Sequence, residues 1–595
     1  MALIISIFLS FFIGLSSVFA EEHALERIVV RQDHPSLEIL TSSDIDKESP
    51  DNLAQVLDYV PGLDLRNRGP MGIQGDLSLS GSTYEQAAVL IDGIRVMDPQ
   101  TGHHNLDIPL TVYDLEQVEI NKTPSSGQYG AGALAGSMNI VTKKPQKKTF
   151  NLDGLFGEHA LFGQGFSLSM PKETYSYRFS FDHKIAKAAR PNTDFEYNTA
   201  SVYFDKESGL NNYDLLCGYQ KKDFGADSFY SNLFPEEEEH TETLFAKSGA
   251  HLRFDRALLK ENIYLRRHRD KFILNRNNPT SVNYHTTYLY GLNSELALPV
   301  KYGDMLLGVD IGEDEINSTN LGKHSRSYQA GSLGFTGRLG QRLNVDTHLR
   351  LDSYQKWGEQ GSYDLGMGYD LIQERLKLSA SLAHAFRLPS FTELFYADSA
   401  NIGNPDLKAE KSDTLSAGLD FKKDILALGI NGFLRRGKNL IDWTRLTASG
   451  PWQATNLGRV DFQGIEFSAK VKTALNFKSF NLKNMDFSYN YLRADKKASG
   501  FLSKYALDIL KHRYILDIYS VILGLDFNWQ LSYQERYYGD KYFLGGIYIG
   551  KRFSGEKLIF EPFIKIDNFT DAKYSEVGGV LQPGRWIKSG FKLEW

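Results

Sequence analysis

Apolar and polar side chains alternate in many short segments of this chain. Residues 175–182 read YSYRFSFD, residues 376–382 read LKLSASL, and the last residues repeat the pattern up to Trp595. A period of two places successive side chains on opposite faces of a β-strand. A soluble β-sandwich gives the same alternation, but these segments recur from about Phe150 to the C-terminus without a helix-sized apolar segment. That length favours a large closed barrel with lipid outside and water inside.

Residues 37–145 show a different pattern, with dense turn signals and short predicted strands at 77–81, 88–96, 118–120 and 138–142. Asp92-Gly93 separates two apolar runs, which predicts a tight hairpin because both residues tolerate a positive φ. Apolar residues in 52–60 recur at helical spacing and stop at Pro61-Gly62, which predicts a short helix. This part of the chain is therefore predicted to be a small mixed α/β domain ahead of the β-rich region.

The first twenty residues have the pattern of a secretory signal peptide. An apolar stretch from Ile4 to Leu15 is followed by Val18-Phe19-Ala20, and Glu21 begins an acidic pair. This order matches a hydrophobic region with a small-residue cleavage site, so we expect a mature chain that begins at Glu21. The segment has no Lys or Arg, and an uncleaved anchor is the alternative.

Composition excludes several classes of protein. A mean hydropathy of -0.35 excludes a helical permease, and a net charge of -6 with a pI near 6.2 provides no basic field for nucleic acid. A single cysteine, Cys217, forms neither an internal disulfide nor a thiolate metal cluster. Aromatic residues make up 13% of the chain beside 52 glycines, which is typical of many strands and turns.

Several ordered motifs carry a family resemblance that covers nearly the whole mature chain. In the N-terminal domain they are LAQVLDYVPGL at 53–63, VLIDGIRV at 89–96, LEQVEI at 115–120 and QYGAGALAGSMNIVTKK at 128–144. In the β-rich region they are FRLPSFTELF at 386–395, GNPDLKAEKS at 403–412 and PGR at 583–585. The sequence resembles the TonB-dependent outer-membrane receptors. Small departures are Thr123-Pro124 in place of the usual Gly-Pro and Met138 where Ile or Val is commoner.

The resemblance implies a membrane all-β fold: a twenty-two-stranded antiparallel transmembrane β-barrel with an N-terminal α/β plug domain inside the lumen. The implied organisation is a signal peptide at 1–20, a TonB-box segment at 21–36, a plug domain at 37–145 and a barrel at 146–595. Twenty-two strands over that last range average about 20 residues with their connections, and a spanning strand needs ~9–11. We expect a monomeric integral protein of the bacterial outer membrane, surrounded by outer-membrane lipid.

An energy-coupling segment is predicted just after the cleavage site. Its residues resemble the TonB box, which the TonB protein of the inner-membrane energising complex pairs with by strand addition. They are Glu26, Arg27, Ile28, Val29 and Val30. The alternative is that this run begins the first strand of the plug, but Pro35 follows closely and would interrupt a central strand.

The resemblance implies uptake of a scarce bulky nutrient, and the plug is most similar to that of the vitamin B12 (cobalamin) receptors. A ferric siderophore receptor is the alternative. The ligand-facing plug loops would be 67–78 and 98–105, and their candidate binding residues are Asn67, Arg68, Gln74, Asp76, Gln100, Thr101, His103, His104 and Asn105. These side chains suit a large, nearly neutral ligand with many amides. Many of them are equally typical of ordinary turns.

Other apparent sites receive simpler interpretations. His103 and His104 are adjacent and would point to opposite faces of a strand, so we expect a poor chelating pair in a surface loop. The acidic stretch 232–242 is expected in a loop or the lumen, as a solvated charge run with calcium binding as the alternative. Glycines in 130–136 lack the spacing and the helix of a dinucleotide loop, so tight turns explain them better.

No enzyme activity and no resident cofactor are expected, since the sequence offers no nucleophile with a base and no phosphate-binding loop. With no energy source of its own, the protein is expected to depend on TonB. Trp595 resembles the C-terminal aromatic residue that the outer-membrane barrel-assembly machinery reads, so that machinery is a further expected partner.

Overall fold

The computed structural model describes residues 37–48, 50–447, 449–496, 500–505, 508–537, 539 and 541–595. The predicted signal peptide at 1–20 and the predicted TonB box at 26–30 lie outside the described residues. Among the helices within these ranges, none is both long and apolar enough to cross a membrane.

The N-terminal domain is a small mixed α/β unit, as predicted. Its strands are β1 Leu37–Thr41, β2 Leu63–Asn67, β3 Gly75–Leu79, β4 Ala87–Ile91, β5 Ile94–Arg95, β6 Leu115–Asn121 and β7 Gly136–Thr142. Its helices are α1 Ser42–Glu48, α2 Leu53–Leu57 and α3 Ser126–Tyr129, with 3-10 turns at Pro70–Gly72, Gly102–His104 and Val112–Asp114. One sheet has the order β1-β6-β7-β4-β5, and β2 pairs with β3 in a separate hairpin.

Local chemistry explains these elements. Helix α2 begins after Asn52, whose side chain accepts a hydrogen bond from the backbone N–H of Gln55 at 3.0 Å, a preferred N-cap arrangement. Asp92 and Gly93 have φ values of 50° and 81° between β4 and β5, which confirms the predicted hairpin. Gly136 has a φ of 152°, and any side chain there would collide with the carbonyl oxygen of Asn121. The glycine-rich segment therefore forms tight turns, as predicted.

The β-rich region forms a closed antiparallel barrel. Its strands are β8 Thr149–Gly157, β9 Leu161–Pro171, β10 Tyr175–Ala186, β11 Phe195–Ser208, β12 Asn211–Gly225, β13 Glu238–Phe254, β14 Ala257–Ile273, β15 Val282–Val300, β16 Gly303–Ser318, β17 Gly322–Leu339, β18 Leu343–Tyr354, β19 Gly358–Ile372, β20 Leu376–Arg387, β22 Glu410–Lys423, β23 Leu426–Lys438, β26 Arg459–Phe477, β27 Phe480–Lys496, β29 Leu510–Ile522, β30 Leu525–Arg536, β31 Lys541–Gly550, β32 Phe553–Ser554, β33 Ile559–Asp567 and β34 Trp586–Glu594. Both β31 and β32 pair with β33 and together form one interrupted strand, so the barrel has the predicted twenty-two strands.

The barrel closes where the last strand meets the first, with Glu594 opposite Asn151 and Lys588 opposite Gly157. One end of the barrel has tight turns, such as 209–210 and 255–256. The other end carries long connections that contain α4 Phe391–Phe395 and a four-stranded sheet. The strands of that sheet are β21 Asn401–Ile402, β24 Ile441–Arg445, β25 Trp452–Asn456 and β28 Leu502–Ser503.

The two faces of the wall have inverted polarity compared with a soluble protein. On β10, Phe179 faces outward and is 38% exposed, whereas its neighbour Ser180 faces inward and is fully buried. The same holds on β20, where Leu378 is exposed and Ser379 is buried. An apolar outer band and a polar interior are the arrangement that a lipid-facing barrel requires.

The N-terminal domain fills the barrel interior. Its own core is apolar, with Leu57, Val89 and Ile140 buried, and this cluster continues into the wall at Leu216 and Phe245. Where the domain contacts the wall, many of its charged side chains are buried against barrel strands. Those contacts define the candidate functional site.

Candidate functional site

Buried ion pairs connect the plug to the barrel wall, and most place the acid on the plug and the base on the wall. Five plug aspartates pair with cations on barrel strands. They are Asp64 with Arg536 at 2.7 Å, Asp92 with Lys247 at 2.9 Å, Asp98 with Arg266 at 2.6 Å, Asp107 with Lys222 at 2.7 Å and Asp114 with Arg178 at 2.8 Å. Lys588 pairs with Asp51 in the same way. Buried charges persist when they are paired and hydrogen bonded. These pairs fix the orientation of the plug within the lumen.

The first predicted ligand loop contains four of the candidate residues and is closely packed. Arg68 forms a buried ion pair with Asp76 at 2.9 Å and donates to the carbonyl oxygen of Phe229 in the connection between β12 and β13. Gln74 donates to the hydroxyl of Tyr230 at 2.8 Å. Asn67 lies at the end of β2, where its N–H donates to Glu576 at 2.7 Å. The loop therefore contacts two long barrel connections.

The second predicted loop contains the other five candidate residues. Gln100 donates to Asp270 of β14 at 3.2 Å, and the Thr101 hydroxyl lies 3.5 Å from Glu85. The Asn105 side chain accepts from the backbone N–H of Asp98 at 2.9 Å and donates to a plug carbonyl. All five are buried, so the structure brings the nine candidates to one end of the plug under a cover of barrel side chains.

The adjacent histidines lie in a buried 3-10 turn, so the prediction of a surface loop was wrong. The turn is buried because barrel connections fold over it, which a local sequence pattern does not reveal. The two rings diverge, since His103 Nδ1 bonds Asp76 at 2.7 Å whereas His104 Nδ1 bonds Asp107 at 3.1 Å. They do not chelate a common ion as a pair.

Aromatic rings cover the first of these histidines. The ring of Tyr84 stacks on His103 with a centroid separation of 4.1 Å, and Tyr230 and Tyr505 lie 5.8 and 6.4 Å away. Burial lowers the pKa of His103 to about 4 in spite of the neighbouring Asp76 carboxylate. Burial opposes ionisation of Asp76 as well, but its contacts with His103 and with the charge of Arg68 hold its pKa below the ordinary value. His103 is therefore neutral at pH 7.

A second cluster surrounds the other histidine. His104 Nε2 faces Glu239 Oε1 of β13 at 3.7 Å and Asp270 Oδ2 of β14 at 3.6 Å. His268 of β14 lies beside it, with a separation of 4.5 Å between the two ring centroids. Burial disfavours the charged form of His104, yet the nearby carboxylates of Asp107 and Asp270 raise its pKa well above the ordinary value. These groups could hold a metal ion.

Sequence reasoning missed the barrel residues of this cluster. The available signals were the acidic run 236–239 and the segment 268–270, whose first and third residues share one strand face. The acidic run is divided in the structure: Glu236 is half-buried, whereas Glu237 and Glu239 are buried. Between them, Glu238 pairs with Arg276 at 3.1 Å.

A small cavity accompanies the packed interface. It has a volume of about 140 Å³ and is lined by plug residues such as Asp58 and barrel residues such as Arg513. Binding sites for drug-sized molecules usually measure ~300–1,000 Å³. This cavity is too small for a bulky nutrient, and a large ligand would have to displace the covering loops.

Two family models match the chain. The model described as TonB-dependent Receptor Plug Domain matches residues 30–137, and the model described as TonB dependent receptor-like, beta-barrel matches residues 122–567. The second match alone spans most of the chain.

Relatives and solved structures agree with these matches. The chain is 21% identical to Vitamin B12 transporter BtuB of Vibrio vulnificus, over 74% of this chain and 73% of the relative. It is 23% identical to Vitamin B12 transporter BtuB of Photobacterium profundum, over 86% of this chain and 87% of the relative. The structure is similar to that of the siderophore receptor PirA from Pseudomonas aeruginosa, with a TM-score of 0.72 and 19% identity. The match covers 94% of this chain and 99% of the PirA chain. At that identity the structural likeness shows the fold.

Proposed function

The chain belongs to the TonB-dependent receptors, β-barrel proteins of the bacterial outer membrane, and we propose that it takes up cobalamin with energy supplied through TonB. Members of this family are receptors and transporters, and we assign the chain no catalytic step. The proposed partners are TonB with its inner-membrane energising complex, and the proposed coupling segment is Glu26 to Val30.

The observation that carries the proposal of energised uptake is the buried ring of plug-to-wall ion pairs. Buried ion pairs such as Arg536–Asp64 and Arg178–Asp114 hold the plug inside the lumen, which argues against uptake by diffusion through an open pore. Breaking buried pairs one partner at a time is costly, ~3–5 kcal/mol each. Moving the plug therefore needs an external source of work, which coupling to TonB would provide.

The charge balance of the plug loops favours cobalamin as the ligand. Arg66 and Arg68 are the basic residues of the first loop region, and they are paired with Asp64 at 3.0 Å and Asp76 at 2.9 Å. A ferric catecholate carries net negative charge and gains most from unpaired Arg or Lys. A ligand rich in amides instead exchanges neutral hydrogen bonds with side chains such as Gln74 and Gln100.

The names of the relatives support the same ligand, whereas one protein of similar fold is a receptor for the alternative ligand. Two relatives that match most of the chain are described as vitamin B12 transporters. The similar PirA structure is described as a siderophore receptor. A ferric siderophore is therefore kept as the second candidate ligand.

Equilibrium binding to the purified chain tests the ligand. We expect cyanocobalamin to bind and a ferric catecholate to bind weakly, in calcium and in chelator. Gln100→Ala should weaken cyanocobalamin binding, whereas Gln341→Ala, at an exposed turn far from the plug loops, serves as the matched control. Tight binding of the siderophore with no binding of cyanocobalamin would reverse the assignment.

Assembly of the barrel is proposed to depend on the C-terminal aromatic residue. Trp595 follows β34, which closes the barrel against β8. Deleting Trp595 should lower the amount of heat-modifiable barrel in the outer membrane, compared with deletion of the exposed Leu446 in a long connection. Unchanged assembly kinetics would place the signal elsewhere.

A further inference from the structure

The ring of His104 presents one nitrogen to two carboxylates. Its Nδ1 lies 3.1 Å from Asp107 Oδ2, and because a carboxylate only accepts, Nδ1 carries the proton of that bond. A cation that displaces the second ring proton would find a lone pair on Nε2. That lone pair faces Glu239 Oε1 and Asp270 Oδ2.

The separations fit a cation between the three atoms better than direct hydrogen bonds. Nε2 lies 3.7 Å from Glu239 Oε1 and 3.6 Å from Asp270 Oδ2, beyond the usual length of an N–H···O bond. Tetrahedral Zn²⁺ with bonds of ~2.0–2.2 Å separates its ligand atoms by roughly 3.3–3.6 Å.

Two carboxylate oxygens in the cluster are buried without a hydrogen-bond partner in the described part of the chain. They are Glu239 Oε1 and Asp270 Oδ1, on residues that are 1% and 5% exposed. The neighbouring cations are already used, since Lys222 pairs with Asp107 and Arg266 pairs with Asp98. A buried carboxylate oxygen without a hydrogen bond leaves room for a further partner. Glu239 Oε1 faces His104 Nε2, as does the other oxygen of Asp270, Oδ2, so one divalent cation between them would match the two carboxylates.

Each potential ligand is also oriented by an outer hydrogen bond. Asp107 holds the His104 ring, the hydroxyl of Tyr230 donates to Glu239 Oε2 at 2.8 Å, and Gln100 donates to Asp270 Oδ2 at 3.2 Å. Metal-binding histidines and carboxylates usually have such partners. The cluster thus has both the inner ligands and the groups that orient them.

We propose that His104, Glu239 and Asp270 bind one divalent first-row transition-metal ion, for which Zn²⁺ is the probe. The imidazole nitrogen favours such an ion over calcium, which prefers oxygen ligands throughout. His104 belongs to the plug, whereas the carboxylates belong to β13 and β14. The ion therefore joins the plug to the barrel wall, a structural role beyond the proposed uptake of cobalamin.

The first test is a zinc titration of the full chain, purified in detergent without a polyhistidine tag and stripped with chelator. Competition with a chromophoric chelator should show one tightly bound ion per chain. His104→Gln and Glu239→Gln should each weaken binding more than 100-fold. The matched control is His324→Gln, a histidine at the same end of the barrel that stacks on Phe395 at 3.6 Å and should leave zinc affinity unchanged.

A second measurement needs no variant. Crystals of the parent protein grown with Zn²⁺ should give an anomalous peak at the zinc edge between His104 and the two carboxylates.

In the zinc titration, Asp107→Asn should weaken binding by about 10–100-fold, as loss of an orienting partner does. Absence of one tight site in the parent chain, or a peak only elsewhere, would overturn the proposal.

Discussion

Strand β14 makes two opposite kinds of contact with the plug within five residues. Arg266 faces Asp98 of the plug, and the two form a buried ion pair at 2.6 Å. Four residues further on, Asp270 also faces inward, but it meets another acid, Glu239, and the histidine His104. The first contact is a complete pair of one acid and one base, whereas the second is incomplete because it brings two acids to one histidine.

The difference teaches that one plug–barrel interface can contain a contact that is stable by itself and another whose stability depends on a bound cation. A paired contact needs nothing further and breaks only at the cost of exposing two buried charges. A contact with excess acid gains stability only when a cation binds, by an amount that depends on the concentration of the ion. We therefore expect the two contacts to respond in opposite directions to the loss of a charge.

The largest expected effect comes from blocking the coupling to TonB, which we propose supplies the work that moves the plug. Val29→Pro should abolish energised uptake and leave ligand affinity nearly unchanged, because proline lacks the N–H needed for strand addition to TonB. The matched control is Val29→Ile, which keeps the donor and should transport normally. Uptake of labelled ligand by cells, beside binding to the purified chain, measures both effects. Loss of binding together with uptake would show that Val29 belongs to the plug fold.

The next effect breaks the complete contact. Arg266→Met leaves Asp98 buried without its cation and should destabilise the local structure by about 3–5 kcal/mol. Hydrogen exchange of the amides in residues 98–105 should then be faster by at least about 100-fold. Arg269→Met, on the exposed face of the same strand, is the matched control. Adding Asp98→Asn to Arg266→Met should restore most of the protection, and failure to do so would mean that the charge pair is not the cause.

At the incomplete contact, loss of a charge should stabilise the local structure instead of destabilising it. In chelator, Glu239→Gln removes one of two facing acids and should stabilise the same loop by on the order of 1 kcal/mol. The neighbouring Glu238 pairs with Arg276, so Glu238→Gln should not stabilise it. Hydrogen exchange in chelator compares the two variants. Faster exchange in Glu239→Gln would show that repulsion between Glu239 and Asp270 does not destabilise this contact.

The smallest effect is a pH dependence at another buried plug acid, Glu85. Burial raises the pKa of Glu85 from 4.5 to about 8, and nearby Glu393 adds to the rise while Arg387 opposes it. The folded plug therefore holds a proton that the unfolded chain has lost, so this contribution to stability falls as the pH rises from about 4.5 to 8. Glu85→Gln should flatten that dependence in hydrogen exchange between pH 5 and 8. An unchanged slope would assign the dependence to other groups.

Local sequence rules predicted much of the fold correctly. Asn52 and the apolar spacing after it predicted α2, although the helix ends at Leu57 rather than near Pro61. Asp92-Gly93 predicted a hairpin that is present between β4 and β5. These features depend on backbone preferences and on neighbours close in the chain. The resemblance to the receptor family then predicted the strand number and the position of the plug.

The candidate site was only partly accessible to the same reasoning. The plug loops were selected from the sequence, and the nine candidate residues do lie together at one end of the plug, while their role in ligand binding stays a prediction. Their burial was not foreseen, and the predicted surface setting of His103 and His104 was wrong. Barrel connections around Tyr230 and Tyr505 cover them. Such contacts depend on which loops fold inward, which periodicity does not specify.

The sequence by itself determined the alternation of the strands, the turns and the helix starts, because these follow from backbone geometry and local hydrogen bonding. Only the tertiary structure decided which buried acids of the plug–barrel interface meet a cation and which meet another acid. Asp98 and Asp270 have the same carboxylate, yet one faces Arg266 and the other faces Glu239. The register of β13 and β14 against the plug makes that difference, since Coulomb interactions in a buried site depend on distances of a few ångströms between residues far apart in the chain.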